Sequence, residues 1–270
     1  MFSDVLVLVR GGGDLASGVI YRLHKAGFPL IITELPVPLL VRRAVCYGEA
    51  AITESITIEG ITAKRFEVIP SSIEPDGIIP LICDPTKHTI EQLKPVVVVD
   101  ARLEKRNPDT AIHDAPLVIA LGPGYTAGDD CHAVIETNRG HFLGRVIWQG
   151  QAEADTGEPG IVQGRTHSRV LRAPADGCVI AHKEIGELVS KDDTIATIND
   201  VPIIAAFDGV LRGLVNPQLY VTVGTKIGDL DPRAKRENCF TISEKSLAIG
   251  GGVLEAILSA PQIRKRIAAS

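Results

Sequence analysis

Residues 5–36 read VLVLVRGGGDLASGVIYRLHKAGFPLIITELP, and the order of residue types in this stretch decides the fold. Val5 to Val9 form a continuous apolar run of strand length, as expected of a strand buried on both faces. Leu15, Val19, Ile20 and Leu23 then recur at helical spacing, and Gly27 supplies a helix stop. A second apolar run, Leu30 to Thr33, ends in the acid Glu34. Gly11, Gly13 and Ala16 match the spacing G-x-G-x-x-G/A, with Gly12 between the two glycines. Glu34 follows about twenty residues on, where a carboxylate that binds a ribose belongs. The pattern predicts a Rossmann-like parallel sheet, with Gly11, Gly12, Gly13 and Glu34 as cofactor-binding residues. Asp14 complicates this, because its carboxylate and a pyrophosphate would compete for the same amides at a helix start. It either caps the helix or holds a hydroxyl or amine of the ligand. The expected ligand is therefore nucleotide-like without being an ordinary dinucleotide.

Downstream, PVPLLVRRAVCYGEA (36–50) carries Arg42 and Arg43, adjacent guanidinium groups able to clamp a phosphate. ITIEGITAKRF (56–66) alternates like a small hairpin. Three further apolar runs begin at Gly77, Pro95 and Ala115, two of them ending in Asp84 and Asp100, at the strand ends that form a binding edge. Residues 121–150, LGPGYTAGDDCHAVIETNRGHFLGRVIWQG, hold the densest group of reactive side chains. Gly122 and Gly124 form a loop able to present amides to an anion. Asp130, His132, Glu136 and Arg139 join them as cofactor-binding candidates, and Cys131 activated by His141 is the catalytic candidate. Metal ligation is not expected of any residue.

Composition narrows the partners. The 270 residues are 45% hydrophobic but only 4% aromatic, so the core is aliphatic, and the length suits one or two domains. A net charge of -5 argues against nucleic acid or an anionic membrane as partner. No apolar run reaches the roughly 20 residues that span a bilayer, and the first residues do not read as a signal peptide. The five cysteines are scattered with no CxxC pair, as in a reducing compartment, and a cytoplasmic homo-oligomer is expected.

The second half contains a duplication. APADGCVIAHKEIGELVSKDDTIATI (173–198) aligns without gaps to AAFDGVLRGLVNPQLYVTVGTKIGDL (205–230). Neither copy could bury a core by itself, so two halves closing on each other are expected. The pattern resembles the barrel-sandwich hybrid fold of lipoyl and biotinyl carriers, but the hairpin TINDVPII (197–204) lacks the lysine that carriers modify. The expected organisation is a Rossmann-like domain over 1–150, a linker over 151–168, an all-β barrel-sandwich domain over 169–232 and a helical segment over 233–270 that docks back.

GGGDLASGVIYRLHKAGFPLIITELPVPLLVRRAVCYGEA (11–50), the 121–150 stretch and AIGGGVLEAIL (248–258) together resemble the YqeB family of selenium-dependent molybdenum hydroxylase accessory proteins. Distant similarity to the xanthine dehydrogenase accessory proteins is implied through the Rossmann-like domain. The resemblance implies a maturation factor that binds a molybdopterin-type cofactor or a dinucleotide and assists its insertion, or its sulfur or selenium modification, in a molybdenum hydroxylase client. Two other readings of the residues stay open: an NAD(P)-dependent oxidoreductase and a non-catalytic scaffold.

Overall fold

Four residues, Val7–Arg10, form strand β1, buried on both faces because every neighbour in the sheet and both covering layers come from the same chain. In the computed structural model, which describes residues 2–155, 164, 167–217 and 219–269, the chain divides into two units. Met1–Pro38, Tyr47–Asp155 and Ile242–Ser270 form the first, and Leu39–Cys46 with Thr156–Thr241 form the second.

The first unit is built on nine strands: β1, β2 (Leu30–Glu34), β3 (Ser55–Ile58), β4 (Ile61–Phe66), β5 (Ile79–Cys83), β6 (Val97–Asp100), β7 (Leu117–Leu121), β8 (Ala133–Ile135) and β9 (Val146–Ile147). Their order across the sheet is β3-β4-β5-β2-β1-β6-β7-β8-β9. Neighbours from β4 to β8 run parallel, while β3 and β9 pair antiparallel at the two edges. β3 must return beside β4 because Glu59 and Gly60, both at positive φ, make a two-residue hairpin turn. From β1 the chain builds outward on one side through β2, then resumes on the other with β6. A topological switch point therefore lies beyond the carboxyl ends of β1 and β6.

Helix α1 (Asp14–Lys25) buries Ala16, Val19, Ile20 and Leu23, each of the larger three contributing about 1.5–3 kcal/mol. It closes at Gly27, whose amide donates to the His24 carbonyl at 2.9 Å in a positive-φ conformation. α2 (Ala50–Thr53) and α3 (His88–Leu93) are short. α4 (Glu244–Ser259) and α5 (Pro261–Ala269) bring the end of the chain onto the same unit. α1 and α4 touch backbone to backbone: a Cβ at Gly18 would lie 2.0 Å from the Ser246 carbonyl oxygen, and one at Gly250 2.3 Å from that of Gly18. Val7, Val9, Val97 and Val99 line the face beneath these helices, whereas Leu8, Val98 and Val118 face Ile90 and Tyr125 on the other.

The second unit contains β10 (Val170–Arg172), β11 (Gly177–Cys178), β12 (Ile180–Ala181), β13 (Leu188–Val189), β14 (Thr194–Ile198), β15 (Val201–Ile204), β16 (Gly209–Leu214), β17 (Tyr220–Val221) and β18 (Lys226–Asp231). The duplicated halves pair reciprocally. Gly177 pairs with Val221 and Cys178 with Tyr220, and the equivalent residues 32 positions away (Gly209 with Val189, Val210 with Leu188) pair in the same way. Asp176 accepts from the Val223 amide and Asp208 from the Lys191 amide, each at 2.7 Å. Asp192 donates its amide to Ala205 and Gly224 donates its own to Ala173, each at 2.8 Å. Such pairing makes each half the missing partner of the other. The β14–β15 hairpin tip, Asn199 and Asp200, takes positive φ at both residues.

These observations correct the expected fold class. The large sheet is mixed, not an all-parallel Rossmann sheet. Few helices cover it, and the last two are part of the unit. The second unit spreads over antiparallel sheets of four, two and three strands, which do not match a barrel-sandwich hybrid. Most of the expected linker falls outside the described residues. Among the described residues, no single helix is long and apolar enough to cross a membrane.

Candidate functional site

The glycine turn after β1 is closed by its own chain. Glu34 at the end of β2 accepts from the Gly12 amide at 2.7 Å and from the Leu35 amide at 2.8 Å. Burial pushes its carboxyl pKa up, against the pull of those two amides and of Arg102. The Gly12 carbonyl accepts from the Gly48 amide at 2.8 Å, and a Cβ at Gly12 would lie 2.4 Å from the Gly48 nitrogen. Gly11, at φ +89°, packs less closely: a Cβ there would lie 3.2 Å from the Ala101 carbonyl. Gly12 therefore has both its amide and its carbonyl engaged within the chain, by the Glu34 carboxylate and by the Gly48 amide. Gly13 precedes α1 without a side-chain cap.

Asp14, at the start of α1, is turned toward α4, where its Oδ1 accepts from the Ser246 hydroxyl at 3.1 Å. Ser243 caps α4, its Oγ accepting from the Ser246 amide at 3.2 Å. Between them in sequence, Lys245 is half-buried and makes no hydrogen bond or ion pair among the described residues. Burial, then the nearby Arg139 guanidinium, hold its amine below the ordinary lysine range; Asp14, Glu136 and Asp155 oppose this without cancelling it. A position in the first helical turn also disfavours a cation through the helix dipole. Arg139 is itself paired with Glu244. Glu136 is buried and accepts from the Asn138 amide at 2.6 Å and the Glu153 amide at 2.8 Å, so it shapes the loop after β8. Asp14, Glu136 and Arg139 are thus brought together, and Lys245 and Ser246, which the sequence did not single out, complete the group. The only local signal for the pair was a serine placed to start a helix, two residues before Lys245.

The remaining candidates lie elsewhere. Cys131 is wholly buried; desolvation, reinforced by Asp130, pushes its thiol up to about 12, and His141 is exposed with its ring edge-on to Phe142. A thiol kept protonated and shielded is no nucleophile, so the expected Cys131–His141 pair is corrected. His132 accepts the Val118 amide on Nδ1 at 3.0 Å, and burial lowers its pKa. Asp130 accepts from the Thr126 amide at 2.7 Å and from Asn107 at 2.8 Å, holding a turn. Gly122 and Gly124 pack against Thr137 and Glu104, and the Gly122 amide is taken by the Ile135 carbonyl. Arg42 and Arg43 belong to the second unit, where they donate to the Asn238 and Leu214 carbonyls, each at 3.1 Å. Among the described residues, no group of three or more His, Cys, Asp or Glu side chains is placed to hold a metal ion.

No protein-family model matches the chain. The Escherichia coli K12 protein YqeB, described as uncharacterized, is 47% identical over 258 residues, which make up 94% of this chain and 47% of YqeB. The chain is a homologue of YqeB. It spans about half the length of that curated relative. Among solved structures, a succinylglutamate desuccinylase/aspartoacylase from Rhodobacter sphaeroides is 16% identical, covers 85% of each chain and gives a TM-score of 0.27. An aspartoacylase family protein from Mesorhizobium loti is 13% identical over 54% of this chain and 61% of its own, with a TM-score of 0.25. The ectoine utilization protein EutE from Ruegeria pomeroyi is 17% identical over 31% of this chain and 27% of its own, with a TM-score of 0.23. The expected role in maturing a molybdenum hydroxylase is corrected here. The solved proteins are named as aspartoacylase, desuccinylase and ectoine utilization proteins, YqeB is described as uncharacterized, and none of these names mentions molybdenum, selenium or a molybdenum cofactor. Overlaps this poor lend no activity to this chain either.

Proposed function

We propose that the first unit is an enzyme that attacks a carbonyl group of a small substrate with the Lys245 amine. One observation carries this reading: a half-buried lysine without an ion pair among the described residues, next to a second cation, its amine held below the usual range. Desolvation and a neighbouring cation are the two ways in which proteins activate a lysine nucleophile. An unprotonated amine adds to a carbonyl carbon, and loss of water gives the imine. Asp14, fixed by Ser246, supports proton transfer to the departing hydroxyl. The test is borohydride trapping in the presence of small aldehydes and ketones, with peptide mass spectrometry. A reduced adduct on Lys245 ahead of the other lysines, absent in Lys245→Arg, supports the reading. Equal labelling of all exposed lysines with none on Lys245 rejects it.

A further inference from the structure

At the switch point between β1 and β6, on the sheet face away from α1, lies a second charged group that owes nothing to Lys245. Arg10 ends β1 and is 3% exposed. Its two terminal nitrogens donate to the two oxygens of Asp109, each at 2.9 Å, and Arg102 adds a third bond to the same carboxylate at 2.6 Å. Asp100, wholly buried at the end of β6, anchors Arg102 at 2.6 Å and lies 4.0 Å from Arg10. Thr110 donates to Asp100 and accepts from Arg10 at 3.0 Å and from Arg102 at 3.1 Å, so both guanidinium groups keep their orientation without Asp109. The Tyr125 hydroxyl, wholly buried near Asp100, meets no group at hydrogen-bonding geometry among the described residues.

Asp109 differs from the rest of the group. It sits on the loop after β6 with its side chain 36% exposed, and rotation of that side chain alone would release it. Two arginines would then face one buried carboxylate, leaving a net positive charge and a planar, two-point grip at the place where ligands enter open parallel sheets. We infer that Arg10 and Arg102 form a receptor for the carboxylate of a small molecule, and that Asp109 occupies it until the ligand displaces it. Tyr125 offers the hydroxyl that a polar atom beside that carboxylate would meet.

The test uses sodium acetate as probe and reads binding, not turnover, so it stands whether or not Lys245 reacts. Asp109→Asn removes the competing charge and is expected to bind acetate about tenfold more tightly than the unaltered chain. Asp109→Glu restores a carboxylate and is expected to show no gain. Arg10→Lys in the Asp109→Asn background is expected to lose the gain, because an ammonium cannot make the two-point grip. A folded Asp109→Asn chain that binds acetate no better than the parent overturns the inference. Should that variant fail to fold, labelled acetate on the parent chain decides: magnetisation transfer to the Thr110 methyl group supports the site, and none at saturating acetate overturns it.

Discussion

Asp14 and Ser246, 232 positions apart, are joined by a hydrogen bond of 3.1 Å at the point where the first turns of α1 and α4 meet. The bond is reachable because Gly18 and Gly250 let the two helix backbones come into contact. Adding one methyl group at either glycine should force the helices apart and cost about 1–3 kcal/mol, as overpacking does. Gly18→Ala and Gly250→Ala chains are expected to lose that much in urea unfolding. Because they also open the packing that buries Lys245, they should return its amine toward its ordinary reactivity, whereas Gly251→Ala, with open space around it, should do neither.

The reciprocal duplication makes a quantitative claim about the second unit. Asp176 and Asp208 hold equivalent amides at the same 2.7 Å, so Asp176→Ala and Asp208→Ala should destabilise it by similar amounts, about 1 kcal/mol each. Unequal losses differing by more than a factor of about two to three would contradict the equivalence.

Thiol accessibility separates the cysteines. Cys178 is exposed, while Cys131 is buried with its thiol pushed up to about 12. In native protein at mildly alkaline pH, a thiol reagent should modify Cys178 first and reach Cys131 only on unfolding. Early modification of Cys131 would restore it as a reactive group.

Acid stability should report the Arg10–Asp109 contact. Hydrogen bonds from Arg10 and Arg102 lower the Asp109 carboxyl from 3.8 to about 2 despite the cost of its burial. A carboxyl with a lowered folded-state pKa adds stability that is complete above its unfolded value and is lost as protons bind in the folded state. The contribution should therefore be full above pH 3.8 and vanish as the pH falls to about 2. Asp109→Asn should flatten the unfolding free energy across that window.

How much of this was legible in the sequence depends on distance along the chain. The strand–glycine–helix–strand run from Val5 to Glu34 and the repeat in the second half are local patterns, and both stand where periodicity and alignment put them. What the spacing of the glycines did not show is that Gly48 lies against Gly12, leaving no room for a side chain there. Cys131 looked reactive beside acids and histidines, yet just before β8 it packs into the core with Tyr125, Ala127 and Val134, while His141 is exposed. Lys245 carried no signal beyond the helix-starting serine two residues before it. Its surroundings come from Asp14, Glu136 and Arg139, which only the return of α4 onto α1 brings near. Arg10 was visible as a charge closing an apolar strand, but Asp109 is 99 positions away on a loop that no periodicity describes.

The central claim concerns one amine, and it can be read directly. Reductive ¹³C-methylation of the lysines, followed by an NMR pH titration with Lys245→Arg to assign the signal, gives its pKa in the folded chain. Titration of Lys245 clearly below the ordinary 10.5, as burial and Arg139 require, is the predicted result. Titration at or above that value would mean a fully charged ammonium at neutral pH, and the proposed attack on a carbonyl would fall.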